Sequence, residues 1–157
     1  MPRRWKIFGT AAVVVIAFDQ ATKFWARSAL ADGPISVIEN FFDWYLSYNT
    51  GSAFSMFSGA RWALTAVAFV VVGIIAYMVH KERDAPGYQV LAYGAIVGGA
   101  IGNLIDRIAF GKVTDFVMWR YHEHVWPVFN VADASLCVGV ALLLYGAWRT
   151  RGGDAEA

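Results

Sequence analysis

Cysteine is almost absent: Cys137 stands alone in 157 residues. One thiol excludes an intramolecular disulfide framework and any multi-cysteine metal site. Charge is scarce too. Lys, Arg, Asp and Glu make up 16% of the chain, against about 25% in an ordinary soluble domain. The net charge of +1 leaves no broad basic face for a nucleic acid. What the chain has in excess is apolar: 58% of it is hydrophobic, where about 45–50% is usual. That excess excludes a disordered chain and points to a membrane. The seven Trp, seven Tyr and eleven Phe fit in part as belts at the two membrane interfaces. The length suits a single domain, taken as 1–157.

A bilayer-spanning helix needs about 20 mostly apolar residues. Four stretches qualify: 5–30, 62–79, 85–105 and 134–148. The first is interrupted by Asp19, Lys23 and Arg27, and the last reaches span length only if Val131, Ala132 and Asp133 begin the helix. A cleavable signal peptide would resemble the first stretch, with Arg3, Arg4 and Lys6 in front and Ala29-Leu30-Ala31 behind. Its apolar region would not carry Asp19 and Lys23, whereas a retained helix facing other helices can. Basic residues near span ends mark the cytoplasmic side. Arg3, Arg4 and Lys6, then Lys81 and Arg83, then Arg149 and Arg151 all fall on one side of a four-span chain. Both termini are therefore expected inside, with 31–60 and 108–132 outside. Within those outer loops 35–48, 113–119 and 125–129 are strand-prone. The expected fold is an all-α membrane protein of four transmembrane helices, with a small extracytoplasmic sheet on the outer leaflet. The tail 152–157 is expected to fray.

Charges inside a span are costly, so each needs a partner or a task. Asp19 and Lys23 share a helix face at i, i+4. At about 1.5 Å per residue, Asp19 lies about 21 Å beyond Trp5, in the outer part of the bilayer. Asn103, Asp106 and Arg107 close the outward-running third span, Asp133 opens the inward-running fourth, and Asp115 lies between them. All reach one depth near the outer interface, which marks a built site. Gly98, Gly99 and Gly102 allow close helix approach, and packing suffices to explain the first two.

Serine chemistry needs a base beside the hydroxyl. Ser52 or Ser55 with Lys23 as base remains open, although no spacing demands it. His80 is at the wrong end of its span, and His122 and His124 flank Glu123 as a solvated loop rather than a metal site. Cys137 reads as packing within the fourth span. Paired carboxylates are the stronger candidates. Two nearby aspartates at a semi-buried site cannot both ionise easily; one stays protonated and donates while the other takes a proton from water. That chemistry needs neither metal nor cofactor. Among Asp19, Asp106, Asp115 and Asp133, the first has Lys23 one turn away and the second has Arg107 beside it. Asp115 and Asp133 lack an adjacent cation and rank first as the acid–base pair.

At these residues the sequence resembles the lipoprotein signal peptidase family, also called signal peptidase II. Asp19-Gln20-Ala21-Thr22-Lys23 is similar to its D-Q-x-x-K, and Asn49-Thr50-Gly51-Ser52-Ala53-Phe54 to its N-x-G-x-A-F. Residues 98–107 are similar to G-G-A-x-G-N-x-x-D-R, 113–116 to V-x-D-F and 129–133 to F-N-x-A-D. Five motifs in order, spanning nearly the whole chain, are specific together. The resemblance implies an aspartic endopeptidase of the bacterial inner membrane, acting at its extracytoplasmic face. Its substrates would be prolipoproteins whose cleavage-site cysteine already carries diacylglycerol. It implies catalytic Asp115 and Asp133, substrate contacts from Asn49, Gly51, Asn103, Arg107 and Asn130, and a bracing or bordering role for Asp19, Lys23 and Asp106. It also implies inhibition by the cyclic peptide globomycin. The lipid anchor would hold the scissile bond at the depth of the polar site, and a segment between Phe41 and Phe57 could close over it. The histidines gain no role, and no obligate protein partner is demanded.

Three other classes fit less well. A transporter site would sit at the midplane between internal repeats, and none is visible. A metal-dependent hydrolase would use several aspartates as oxygen ligands. A purely structural subunit gives no reason for polar residues at one depth. The topology is checked with single cysteines in a Cys137→Ser background. An impermeant thiol reagent applied from outside should label positions in 33–50 and 118–126 and miss 81–85. Labelling at 81–85 would overturn the four-span, both-ends-in arrangement.

Overall fold

A computed structural model of the chain describes residues 1–50 and 61–153, with side chains for 1–50 and 62–149. In chain order it holds α1 (Arg3–Ala29), β1 (Ile35–Ile38), β2 (Phe42–Asn49), α2 (Arg61–Lys81), α3 (Gly87–Phe110), β3 (Val113–Tyr121), β4 (His124–Val125) and α4 (Val131–Gly153). The four helices are each long and apolar enough to cross a membrane, as the hydropathy pattern predicts. The bounds of α3 and α4 are the ones that bear on the reading of the sequence. α3 continues through Asp106 and Arg107, because Asp106 turns inward and is fully buried. It stops at Gly111, whose left-handed φ of 75° suits glycine. α4 does begin at Val131, which gives the fourth span its length. It also runs on to Gly153, into the tail expected to fray, while 154–157 lie outside the described residues.

The burial pattern reverses that of a water-soluble bundle. On α1, Asp19 and Lys23 are fully buried, while Val13, Val14, Phe18 and Phe24 point outward. Polar groups that face other helices and apolar groups that face away suit a lipid surround. α3 is the central helix, packed against α1, α4 and α2. Its glycines set those distances. A Cβ at Gly98 would stand 2.7 Å from Val15 Cβ and 2.9 Å from Ala12 O on α1. One at Gly99 would stand 2.5 Å from Ala132 O and 2.6 Å from Ser135 Oγ on α4. Packing therefore does account for both residues. At the other end of the bundle, Gln89 Nε2 and Tyr93 Oη donate to Glu82 Oε2 at 2.7 and 2.8 Å, tying the α2–α3 turn to α3.

The strands form one antiparallel sheet in the order β1-β2-β3-β4. The strand-prone stretch 35–48 is split, not continuous. Phe41 N–H bonds Ile38 O at 3.0 Å across a turn whose Asn40 has φ 58°, a conformation asparagine tolerates. The stretch 125–129 is also not a full strand: β4 ends at Val125 and only Phe129 pairs again, with Val117. Pro127 lies between and cannot donate to a ladder. The sheet rests on the end of α1 through an aromatic cluster. Trp25 meets Trp44 edge-on at 5.4 Å, and Phe116 lies 6.0 Å from Trp44 and 6.3 Å from Trp25. Asp43, almost completely buried, is neutralised by Arg120 at 2.9 Å across β2 and β3. Cys137 corrects another expectation: it is exposed on the outer surface of α4, not packed inside.

Gly99→Ala tests the helix packing. The contacting carbonyl is backbone and cannot swing aside, so the variant should lose about 1–3 kcal/mol. Thermal unfolding in detergent measures it, and an unchanged midpoint would show that α3 and α4 are not held at this distance.

Candidate active site

Lys23 lies at the centre of the polar cluster. Its ammonium is 2.8 Å from Asp19 Oδ2 and 3.8 Å from Asp106 Oδ2, and it donates to Asn103 Oδ1 at 2.9 Å. Lys23, Asp19 and Asp106 have no exposed surface. Asp19 reaches further: its Oδ1 accepts the Ala132 N–H at 2.9 Å, in the first turn of α4. Asp106 Oδ2 accepts the Thr114 N–H at 2.8 Å, where β3 begins. The brace read from the sequence is therefore a set of ties from α1 and α3 to the segments bearing the other two aspartates.

Those two aspartates are joined by asparagines. Asn130 Nδ2 donates to Asp115 Oδ1 at 2.6 Å and lies 3.1 Å from Asn103 Oδ1. Asn103 Nδ2 in turn donates to Asp133 Oδ1 at 2.8 Å. The sequence Asp115–Asn130–Asn103–Asp133 is thus one hydrogen-bonded chain across β3, α3 and α4. Asn103 Oδ1 is fixed toward Lys23, so its amide nitrogen must face Asp133.

Local structure explains how α4 carries its share. Asn130 Oδ1 accepts the Asp133 N–H at 2.9 Å, and Asp133 Oδ2 accepts the Asn130 N–H at 3.3 Å. This reciprocal pair is a capping box, with an aspartate where glutamate is commoner. The backbone at Phe129 pairs with Val117 on β3, which brings Asn130 beside Asp115. The sequence signal for this cap is Asn-x-x-Asp before an apolar run.

Asp115 is almost completely buried. Burial pushes its carboxyl up to about 7, and the neighbouring Asp133 adds to the rise. Hydrogen bonds from Asn130 and Asn49, and the Lys23 charge, oppose it. Asn49, at the end of β2, therefore joins the site. Arg107, half-buried on the last turn of α3, stands within electrostatic reach of Asp133, Asp115 and Asp106. Of the residues that the resemblance places at the site, all but Gly51 thus meet in one region. Gly51, Ser52, Ser55 and the rest of 51–60, which includes the second part of the covering segment, lie outside the described residues.

Two side chains of the cluster have no role in the reading of the sequence. Gln20 Nε2 donates to Asp19 Oδ2 and Gly102 O, both at 3.1 Å. Arg27 approaches Asp106 at 3.7 Å and donates to Thr114 Oγ1 at 3.0 Å. Spacing alone signals neither residue, because Gly102, Asp106 and Thr114 lie on other elements. His122 occupies the β3–β4 turn with φ 52° and its ring meets Tyr121 edge-on at 4.4 Å. Among the described residues, no group of three or more His, Cys, Asp or Glu side chains could hold a metal ion.

Comparison with known proteins agrees with this architecture. Residues 11–149 match the family model described as signal peptidase (SPase) II. A lipoprotein signal peptidase of Xanthomonas campestris pv. campestris is 40% identical over 141 residues, 86% of this chain and 84% of its own. One from Xylella fastidiosa is 39% identical over 140 residues, 84% of each chain. A bacterial membrane enzyme solved in meso at 2.3 Å superposes with a TM-score of 0.84 at 27% identity, over 94% of this chain and 91% of its own. A second, at 1.9 Å, gives 0.77 at 30% identity, over 88% and 90%. With four membrane-length helices, a matching fold and relatives of this kind over most of its length, the chain belongs to the signal peptidase II family of membrane peptidases.

Proposed function

We propose that the protein is an aspartic endopeptidase that removes the signal peptide from diacylglyceryl-modified prolipoproteins, cutting before the lipidated cysteine. The observation that carries this reading is the hydrogen-bonded chain joining Asp115 to Asp133 through two asparagine amides. The relatives' name, lipoprotein signal peptidase, supports the substrate class. The basic residues at the span ends support an active site at the outer face of the bacterial cytoplasmic membrane.

The chemistry follows from a shared proton. The ionised carboxylate of the pair takes a proton from a water, whose oxygen attacks the scissile carbonyl carbon. The protonated partner donates to the carbonyl oxygen. The tetrahedral intermediate then collapses as the amine leaves with a proton returned by the pair. No covalent enzyme intermediate forms. Asn103 and Asn130 devote their amides to the two carboxylates, so they hold the pair more than they grip the peptide. Arg107 and Asn49 remain to meet substrate carbonyls, and Gly51 joins them on this reading. The acyl chains supply binding energy remote from the reacting bond and fix its depth. Cyclic peptides such as globomycin would compete for the same groups.

Asp115→Asn and Asp133→Asn should each lower turnover of a diacylated prolipoprotein by at least about 10²–10⁴-fold. Neither should prevent insertion or inhibitor binding, and the double variant should be little worse than either single one. Activity should survive chelators and serine reagents. Substantial turnover by either variant, or loss on chelation, would sink the aspartic mechanism.

A pH test uses the raised carboxyl of Asp115. It titrates at 3.8 unperturbed and at about 7 when folded. The folded state therefore prefers the proton, and this stabilisation is complete below about pH 4 and lost as pH rises through about 7. Asp115→Asn mimics the protonated form and removes the dependence. Its unfolding temperature in detergent, relative to the parent, should climb from pH 5 to pH 9. A constant difference would mean that Asp115 is not held protonated by its surroundings.

A further inference from the structure

Thr114, the residue before Asp115, is gripped from three directions. Its N–H donates to Asp106 Oδ2 of α3 at 2.8 Å, and its carbonyl accepts from Asn130 Nδ2 at 3.2 Å. Its hydroxyl accepts from Arg27 Nη1 of α1 at 3.0 Å. Arg27 is itself set in place, with Asp106 Oδ1 at 3.7 Å and its guanidinium carbon 4.8 Å above the Phe110 ring. Thr114 is 1% exposed, so water has little access to its end of these bonds. The pattern V-x-D-F leaves this position open, and Arg27 belongs to none of the five motifs.

An aspartate side chain is short, so the direction of its carboxyl is set mainly by its backbone. Asp115 must meet Asn130 at 2.6 Å while remaining close enough to Asp133 to feel its charge. The peptide before it is the pivot. The bonds to its N–H and carbonyl fix two points, and the Arg27 bond to the hydroxyl adds a third, from α1. We propose that Arg27 and Thr114 are positioning residues, in which the guanidinium holds the Thr114 hydroxyl and thereby aims Asp115 at Asp133. This rests on the aspartic reading above.

The test is steady-state cleavage of a diacylated prolipoprotein by the full chain in detergent. Thr114→Val keeps the shape and both backbone bonds but removes the hydroxyl acceptor. It should lower kcat about five- to tenfold with KM unchanged. Thr114→Ser should recover most of the loss. Arg27→Met should act through the same bond, so adding it to Thr114→Val should cost less than about twofold more. Parental kcat in Thr114→Val, failure of Ser to rescue, a rise in KM alone, or multiplying effects in the double variant would each overturn the proposal. If Arg27→Met does not insert, the Val and Ser variants decide alone. Asp115→Asn in the same assay separates the two layers. Its inactivity upholds the aspartic reading whatever Thr114 does, and its turnover sinks both.

Discussion

An ammonium buried among apolar helices must be met by counter-charge and acceptors at hydrogen-bond distance, because desolvation costs several kcal/mol per ion. Lys23 is buried completely, and much of the polar architecture is arranged around it. It draws Asp19 from one turn back, Asp106 from α3 and the side-chain oxygen of Asn103. The last contact settles which way the Asn103 amide points and so delivers a donor to Asp133. Charge balance follows the same logic. Asp19, Asp106, Asp115 and Asp133 bring four negative charges when ionised, and Lys23, Arg27 and Arg107 bring three positive ones. One retained proton makes the cluster neutral, and a single shared proton is what the proposed chemistry needs.

The parts of this site that could be read in the sequence are those governed by periodicity and local charge. Asp19 and Lys23 are four apart on a hydrophobic helix, so their pairing follows from spacing, and the two charges stand 2.8 Å apart. Asp115 and Asp133 stood out because no cation neighbours them in the chain. The links between them did not stand out, since Asn103 and Asn130 meet only after α3 and α4 pack. Arg27 reads as an ordinary basic residue at a helix end until β3 folds back over it. The four spans were legible by length and hydropathy, and their ends shifted where a charge turned inward, as Asp106 does. The strand-prone runs were located correctly but not divided, because a positive φ at Asn40 and the missing N–H of Pro127 are local events that hydrophobic patterning does not register.

The sheet serves the site through β3, which is at once a central strand and the carrier of Asp115. Its inner residues Val113 to Phe116 are buried, while Trp119 and Tyr121 further along are exposed. The Trp25, Trp44 and Phe116 rings press the buried half against α1, and the Asp43–Arg120 pair stiffens the outer half. One strand therefore joins a rigid anchor in the helices to an apolar rim that faces outward. On the topology read from the basic residues, that rim would lie where a lipidated peptide arrives.

The capping box at Asn130 and Asp133 has a consequence for when the enzyme becomes active. Asp133 acquires its orientation only as the first turn of α4 closes, and that turn is completed by Asp19 from the opposite end of the sequence. α4 also leaves the ribosome after the other three helices. On the aspartic reading, a nascent chain holding three inserted helices would own one of its two acid–base groups and no means of aiming it. Proteolytic competence would then wait for α4 to dock, so a half-assembled molecule could not cut the membrane proteins around it.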